Sequence, residues 1–79
     1  MNKQYYIGQC QICKQGKLEV VKEISTKNIF ICCDECEAEW TDAQDAISCV
    51  NGSRGKYGQI QSATYEDIAG KKWTEYIEK

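Results

Sequence analysis

The sequence predicts a small α+β domain, a three-stranded antiparallel sheet followed by one or two short helices, and three observations carry that prediction. The chain has only 79 residues, which suffices for one domain with a modest core. Two Cys-x-x-Cys pairs, Cys10/Cys13 and Cys33/Cys36, stand nineteen residues apart. Between them lie β-branched runs, and after them come helix-capping signatures. For so short a chain, burial at about 25 cal/mol per Å² nearly cancels about 1.5 kcal/mol of ordering entropy per residue. A disulfide, a metal or a partner must therefore supplement the core, and six cysteines point to the first two.

The elements follow in order. Tyr5, Tyr6 and Ile7 suggest a brief strand leading into the first cysteine pair. Gly16, three residues beyond Cys13, marks a sharp turn where positive φ is favoured. Leu18 to Ile24 and Ile29 to Cys32 read as the strands of a hairpin, joined by the turn residues Ser25-Thr26-Lys27-Asn28. Glu37-Ala38-Glu39-Trp40 suits a short third strand with Ala38 and Trp40 on one face. Thr41 and Gln44 form a capping-box pattern that opens a two-turn helix with the stripe Ala43, Ala46, Ile47 and Val50, stopped by Asn51-Gly52.

Residues 1–50 are thus expected to hold the sheet and a short helix, and 51–63 a glycine-rich loop, the most mobile segment, with room for one short strand between Gly58 and Ala63. Residues 64–79 form a helical extension of the same domain: Thr64 caps a first helix ending near Ile68 to Gly70, and Lys71 to Lys79 form a terminal helix bearing Trp73, Tyr76 and Ile77.

The residue content removes whole classes of function. With no histidine, the usual general base and the Cys-His nucleophile pair are missing, and any metal site is built of sulfur. No nucleophile–base pair, glycine-rich phosphate loop or open metal site appears, so no enzyme is expected. The N-terminal MNKQYYIGQCQIC has no apolar run of signal-peptide length, which suggests a cytosolic protein, and no apolar stretch is long enough to span a membrane. In a reducing cytosol paired cysteines are more often metal ligands or catalytic thiols than bridges.

The cysteine spacing matches the Cys-x₂-Cys, fifteen to twenty, Cys-x₂-Cys pattern of a zinc site. A two-residue spacer lets two thiolates grip one ion, and a hairpin brings the second pair opposite to complete a tetrahedron. Such a closed site leaves no position for substrate; its role is structural, at about 10 kcal/mol of folding free energy. One zinc ion is expected on Cys10, Cys13, Cys33 and Cys36, although four-sulfur tetrahedral sites also accept iron. Cys32 is a competing ligand that the commoner two-residue spacer leaves on the opposite side of its strand, and Cys49 reads as an inert thiol on the first helix.

Cys10-Gln-Ile-Cys13-Lys-Gln-Gly16-Lys-Leu18 resembles a first zinc knuckle, and Cys33-Asp-Glu-Cys36 with Trp40 four residues on resembles the second. The chain is similar over roughly residues 7–40 to a zinc ribbon, which implies a three-stranded sheet capped by the metal. Where such knuckles often carry glycine after the second cysteine, this chain has Lys14 and Glu37.

Charge suggests the partner. The formal net charge is −2, falling to about −4 when four thiolates hold a divalent ion. Asp34, Glu35, Glu37, Glu39, Asp42 and Asp45 form a block without a single Lys or Arg. Such a surface docks on a basic protein, and in size and acidity the chain resembles small bacterial immunity-type proteins that inhibit toxin nucleases. The second reading is a nucleic-acid-binding ribbon of the transcription or translation kind, using Lys14, Lys17, Lys22, Lys27, Arg54 and Lys56. Phe30 and Trp40 are expected in the core, whereas Trp73 and Tyr76 either pack on the ribbon or join two copies in a homodimer.

Overall fold

The computed structural model describes residues 4–78. Its elements are β1 (Tyr6–Gln9), β2 (Lys17–Glu23), β3 (Ile29–Cys33), β4 (Glu39–Trp40), α1 (Ala43–Ser48), β5 (Ile60–Ser62) and α2 (Tyr65–Gly70), closed by a single 3₁₀ turn, Thr74–Tyr76. The sheet is antiparallel throughout and has five strands in place of the expected three. β2 is its spine. One edge pairs with β3, and the other pairs with β1 near Lys17 and Glu19 and with β5 from Val21 to Glu23, so β1 and β5 lie end to end.

The two-residue period of the strands divides the side chains between two faces. Leu18 and Val20 of β2 and Ile31 and Cys33 of β3 enter the main core, which also holds Ile7, Trp40, Ala43, Ala46, Ile68 and Trp73. Val21, Phe30 and Cys32 face the other way and form a small second cluster. The register pairs Leu18 with Cys33 and Val21 with Phe30, which keeps each face consistent across the hairpin. In β1 the pairing shifts between Tyr6 and Gln9, and Gly8 at φ 148° supplies the backbone conformation this bulge requires.

Both helices lie on the main-core side, buried through Ala43 and Ala46 of α1 and Ile68 of α2. The first begins one residue later than Thr41 predicts: Asp42 is its N-cap, its carboxylate accepting the Gln44 N–H at 3.1 Å. It also ends earlier. Cys49 adopts the left-handed conformation at φ 58°, and Val50 N–H donates to the Asp45 carbonyl. Ile47 and Val50 consequently leave the expected stripe and stand 42 % and 47 % exposed. Thr64 caps α2 as expected, and the cap is a full capping box in which Thr64 and Asp67 exchange hydrogen bonds.

One expectation for the C-terminal half is corrected. The helix expected from Lys71 is a bend, because Lys72 takes φ 63° and only one 3₁₀ turn follows; Lys79 lies outside the described residues. Trp73 nevertheless reaches the core, and Tyr76 and Ile77 pack against it. The glycine-rich loop crosses the sheet as a strap attached at several points. Ser53 bridges to Glu39 through both backbone directions, and Lys56 N–H donates to the Glu39 carboxylate at 3.1 Å. Gly58 N–H donates to Glu23 at 2.8 Å, and Tyr57 stacks on Phe30 with ring centroids 3.8 Å apart.

Ile68 is fully buried at the join of α2 and the sheet, so Ile68→Ala should cost about 3 kcal/mol, whereas Thr64→Ala, which removes only the cap, should cost about 1 kcal/mol. Denaturant unfolding of the metal-loaded protein measures both, and equal costs would contradict this division of roles.

Candidate metal centre

Four thiols meet at one end of the β2–β3 hairpin. Cys10 and Cys13 come from the turn between β1 and β2, Cys33 ends β3, and Cys36 sits in the turn before β4. All four sulfurs lie within 4.8 Å of one another. The Cys10–Cys36 and Cys13–Cys33 separations are 3.8 and 3.6 Å, and a tetrahedron with bonds of about 2.3 Å has edges of about 3.8 Å. All six cysteines are free thiols. The donor set and spacing thus fit one tetrahedral metal ion.

Backbone geometry builds each knuckle. Lys14 N–H donates to the Cys10 carbonyl at 3.1 Å, and Cys10 N–H donates to the Gly16 carbonyl at 3.0 Å. In the second knuckle Cys33 N–H reaches the Ala38 carbonyl at 2.8 Å. Lys14 and Glu37, each following the second cysteine of its pair, adopt φ 57° and 63°. Positive φ favours glycine, so the chain makes each turn with a residue that strains in it. Gly16 serves a different purpose from the expected one: it is a close-approach position. A Cβ there would lie 2.7 Å from Cys33 Sγ and 2.8 Å from Asp34 Oδ1.

The knuckle amides are aimed at sulfur. Gly16 N–H donates to Cys13 Sγ at 3.4 Å, and the Glu35 and Cys36 N–H groups donate to Cys33 Sγ at 3.4 Å. The backbone N–H groups of Gln15 and Gly16 hold the Cys13 thiol down to about 6. Burial pushes the Cys33 thiol up to about 12 against its own amide donors. Without a cation the buried cluster therefore keeps protons on part of its sulfur; a divalent ion replaces them, so loading releases protons.

The other two cysteines stand apart from the cluster. Cys32 projects to the opposite face of β3, as expected, and burial with nearby Glu39, Glu37 and Glu19 pushes its thiol up to about 11. That environment makes it unreactive. Cys49 caps α1 and lines a cavity beside Trp40, instead of lying within the helix. The register that decides between Cys32 and Cys33 is a property of β2, a signal that the cysteine spacing alone carries only indirectly.

The acidic block is less uniform than its sequence. Asp34, Glu35 and Glu37 are exposed on the second knuckle. Glu39, expected on the surface, is only 7 % exposed and turns inward to hold Ser53 and Lys56. Asp34 accepts from Lys17 N–H at 2.8 Å, Asp42 caps α1, and Asp45 accepts from the Asn51 amide at 3.3 Å. Of the basic candidates, Lys17 pairs with Glu78 and Lys22 with Asp67, and Arg54 donates through Nε to the Cys36 carbonyl. Among the described residues no helix is long and apolar enough to cross a membrane. No protein-family model matches the chain, and neither a curated protein nor a solved structure does.

Replacing Lys14 or Glu37 by glycine removes a left-handed strain of about 1 kcal/mol, and each variant should melt higher with its metal content unchanged. Gly16→Ala should weaken metal binding at least tenfold in a chelator competition. Because the bound form needs four thiolates, bound metal should fall as the pH drops, following the same curve in Cys32→Ser and Cys49→Ser proteins.

Proposed function

We propose that this chain is a zinc ribbon that acts by binding, an acidic inhibitor of the immunity type that docks on a basic protein such as a toxin nuclease. The observation that carries this reading is the placement of Asp34, Glu35 and Glu37 on the knuckle that the thiolate cluster stiffens. Asp42 and Asp45 extend the acidic surface along α1. Hydrogen bonds to Asp34, Asp42 and Asp45 each use part of a carboxylate's four acceptor sites, so their charge and remaining lone pairs still face outward. Glu39 is committed internally and is left out of the contact surface.

A structural zinc suits this task because a closed four-sulfur site has no open coordination position for chemistry. It fixes the carboxylates on a rigid turn before the partner arrives, which lowers the ordering cost of association. Electrostatic steering then speeds encounter, and the effect weakens with salt. The basic side chains are less suited to nucleic acid: Lys17 and Lys22 are each paired with a carboxylate.

Native mass spectrometry of the protein from its own cells, under reducing conditions, reads metal and partner together. One zinc and a basic protein at one to one are expected. Glu35→Lys combined with Glu37→Lys should weaken that complex at least tenfold, and the native complex should weaken with added salt. Co-purifying nucleic acid, or an affinity indifferent to ionic strength, would contradict the reading.

A further inference from the structure

Arg54 is the only arginine in a chain with twelve acidic residues, and the strap delivers it to the second knuckle. Its backbone is held on both sides. Ser53 exchanges backbone hydrogen bonds with Glu39 at 2.8 Å in each direction, and Lys56 N–H donates to the Glu39 carboxylate at 3.1 Å. Between these anchors the guanidinium turns to Cys36. Nε donates to the Cys36 carbonyl at 3.1 Å, and the same side chain hydrogen-bonds the Cys36 sulfur.

The other sulfurs of the cluster are met differently. Cys33 Sγ accepts from the Glu35 and Cys36 amides, and Cys13 Sγ from the Gly16 amide, each at 3.4 Å. Cys10 is fully buried. Of Cys13, Cys33 and Cys36, only Cys36 is bonded by a charged side chain. Cys13 and Cys36 are the half-buried members of the cluster, so theirs are the sulfurs that a reagent in solvent can reach. Four thiolates around a divalent ion carry a net charge of about −2, on a knuckle that already exposes Asp34, Glu35 and Glu37. A guanidinium stays charged and spreads its donors in a fork, so one group can hold a carbonyl and offset a thiolate at once.

We propose that Arg54 is a positioning residue of the metal centre, one that fixes Cys36 in place from the strap and shields its thiolate from electrophiles. A hydrogen bond from a charged donor occupies a sulfur lone pair and reduces the electron density offered to an attacking reagent. This role rests on the four thiols holding a metal and is independent of the acidic docking surface.

The test is the initial rate at which iodoacetamide alkylates the zinc-loaded protein, with the first modified cysteine located by peptide mass spectrometry. In that reaction a thiolate sulfur forms a bond to the methylene carbon of the reagent and iodide leaves. Arg54→Gln should raise the Cys36 rate about tenfold, the scale of one hydrogen bond to a charged group, and leave the Cys13 rate unchanged. Arg54→Lys keeps the charge without the fork and should fall between Arg54→Gln and the unsubstituted chain. A residue that only held the fold together would protect both sulfurs, so equal acceleration at Cys13 and Cys36 would overturn the proposal. A Cys36 rate indifferent to both substitutions would overturn it too. Should the glutamine variant lose its zinc, the lysine variant decides, since its ratio of Cys36 to Cys13 rates must exceed that of the unsubstituted chain. An unsubstituted chain that takes up no zinc would overturn the metal assignment and this role together, whereas zinc uptake with unchanged rates overturns the role of Arg54 alone.

Discussion

The pairing of Leu18 with Cys33 across the β2–β3 hairpin is the constraint on which the rest of the molecule depends. It places Cys33 on the main-core face, where its sulfur meets Cys13 at 3.6 Å and joins the thiol cluster. A slip of one residue would turn Cys32 toward the cluster and at the same time send Ile31 out of the core and Phe30 into it. Hydrophobic burial and the assembly of the four-thiol cluster thus select the same register. Neither adjacent cysteine is interchangeable with the other, although they differ by one position in the chain.

Around that hairpin the fold economises on core. β2 uses both edges along its length, with β1 and β5 sharing one of them. The second face of the sheet carries only Val21, Phe30 and Cys32, and Tyr57 of the strap covers them. Glu23 and Glu39 anchor that strap through its backbone amides. Both acids therefore act as staples where a larger protein would place a further layer of secondary structure.

Much of this was legible in the residues, and the gaps have physical causes. The grouping of Cys10, Cys13, Cys33 and Cys36 follows from spacing alone, and the hairpin, β4, the α2 cap and a strand within Gly58 to Ala63 follow from local pattern. The contacts that tie the strap to the sheet leave no local pattern, because they join residues distant in sequence, Glu39 with Lys56 and Phe30 with Tyr57. Glu39 reads as one more acid in a charged run, since the Lys56 N–H and Ser53 hydroxyl that its carboxylate accepts from lie more than a dozen residues away and leave no trace in composition. The terminal helix failed at Lys72, where tertiary docking of Trp73 overrode helical spacing. Gly16 was singled out correctly but for the wrong property, since what it provides is space for a neighbouring sulfur.

One closing contact ties the last described residues to the first strand. The Glu78 N–H donates to the Tyr6 carbonyl at 2.7 Å, and the Lys17 ammonium reaches the Glu78 carboxylate at 3.3 Å. The first strand and the last residues are thereby stitched side by side at one edge of the sheet. Tyr6 and Glu78 are thus held next to each other, so the two ends of the described chain lie together at that edge. Pulling those ends apart would load that hydrogen bond and that ion pair before it reached the pairing of β1 with β2.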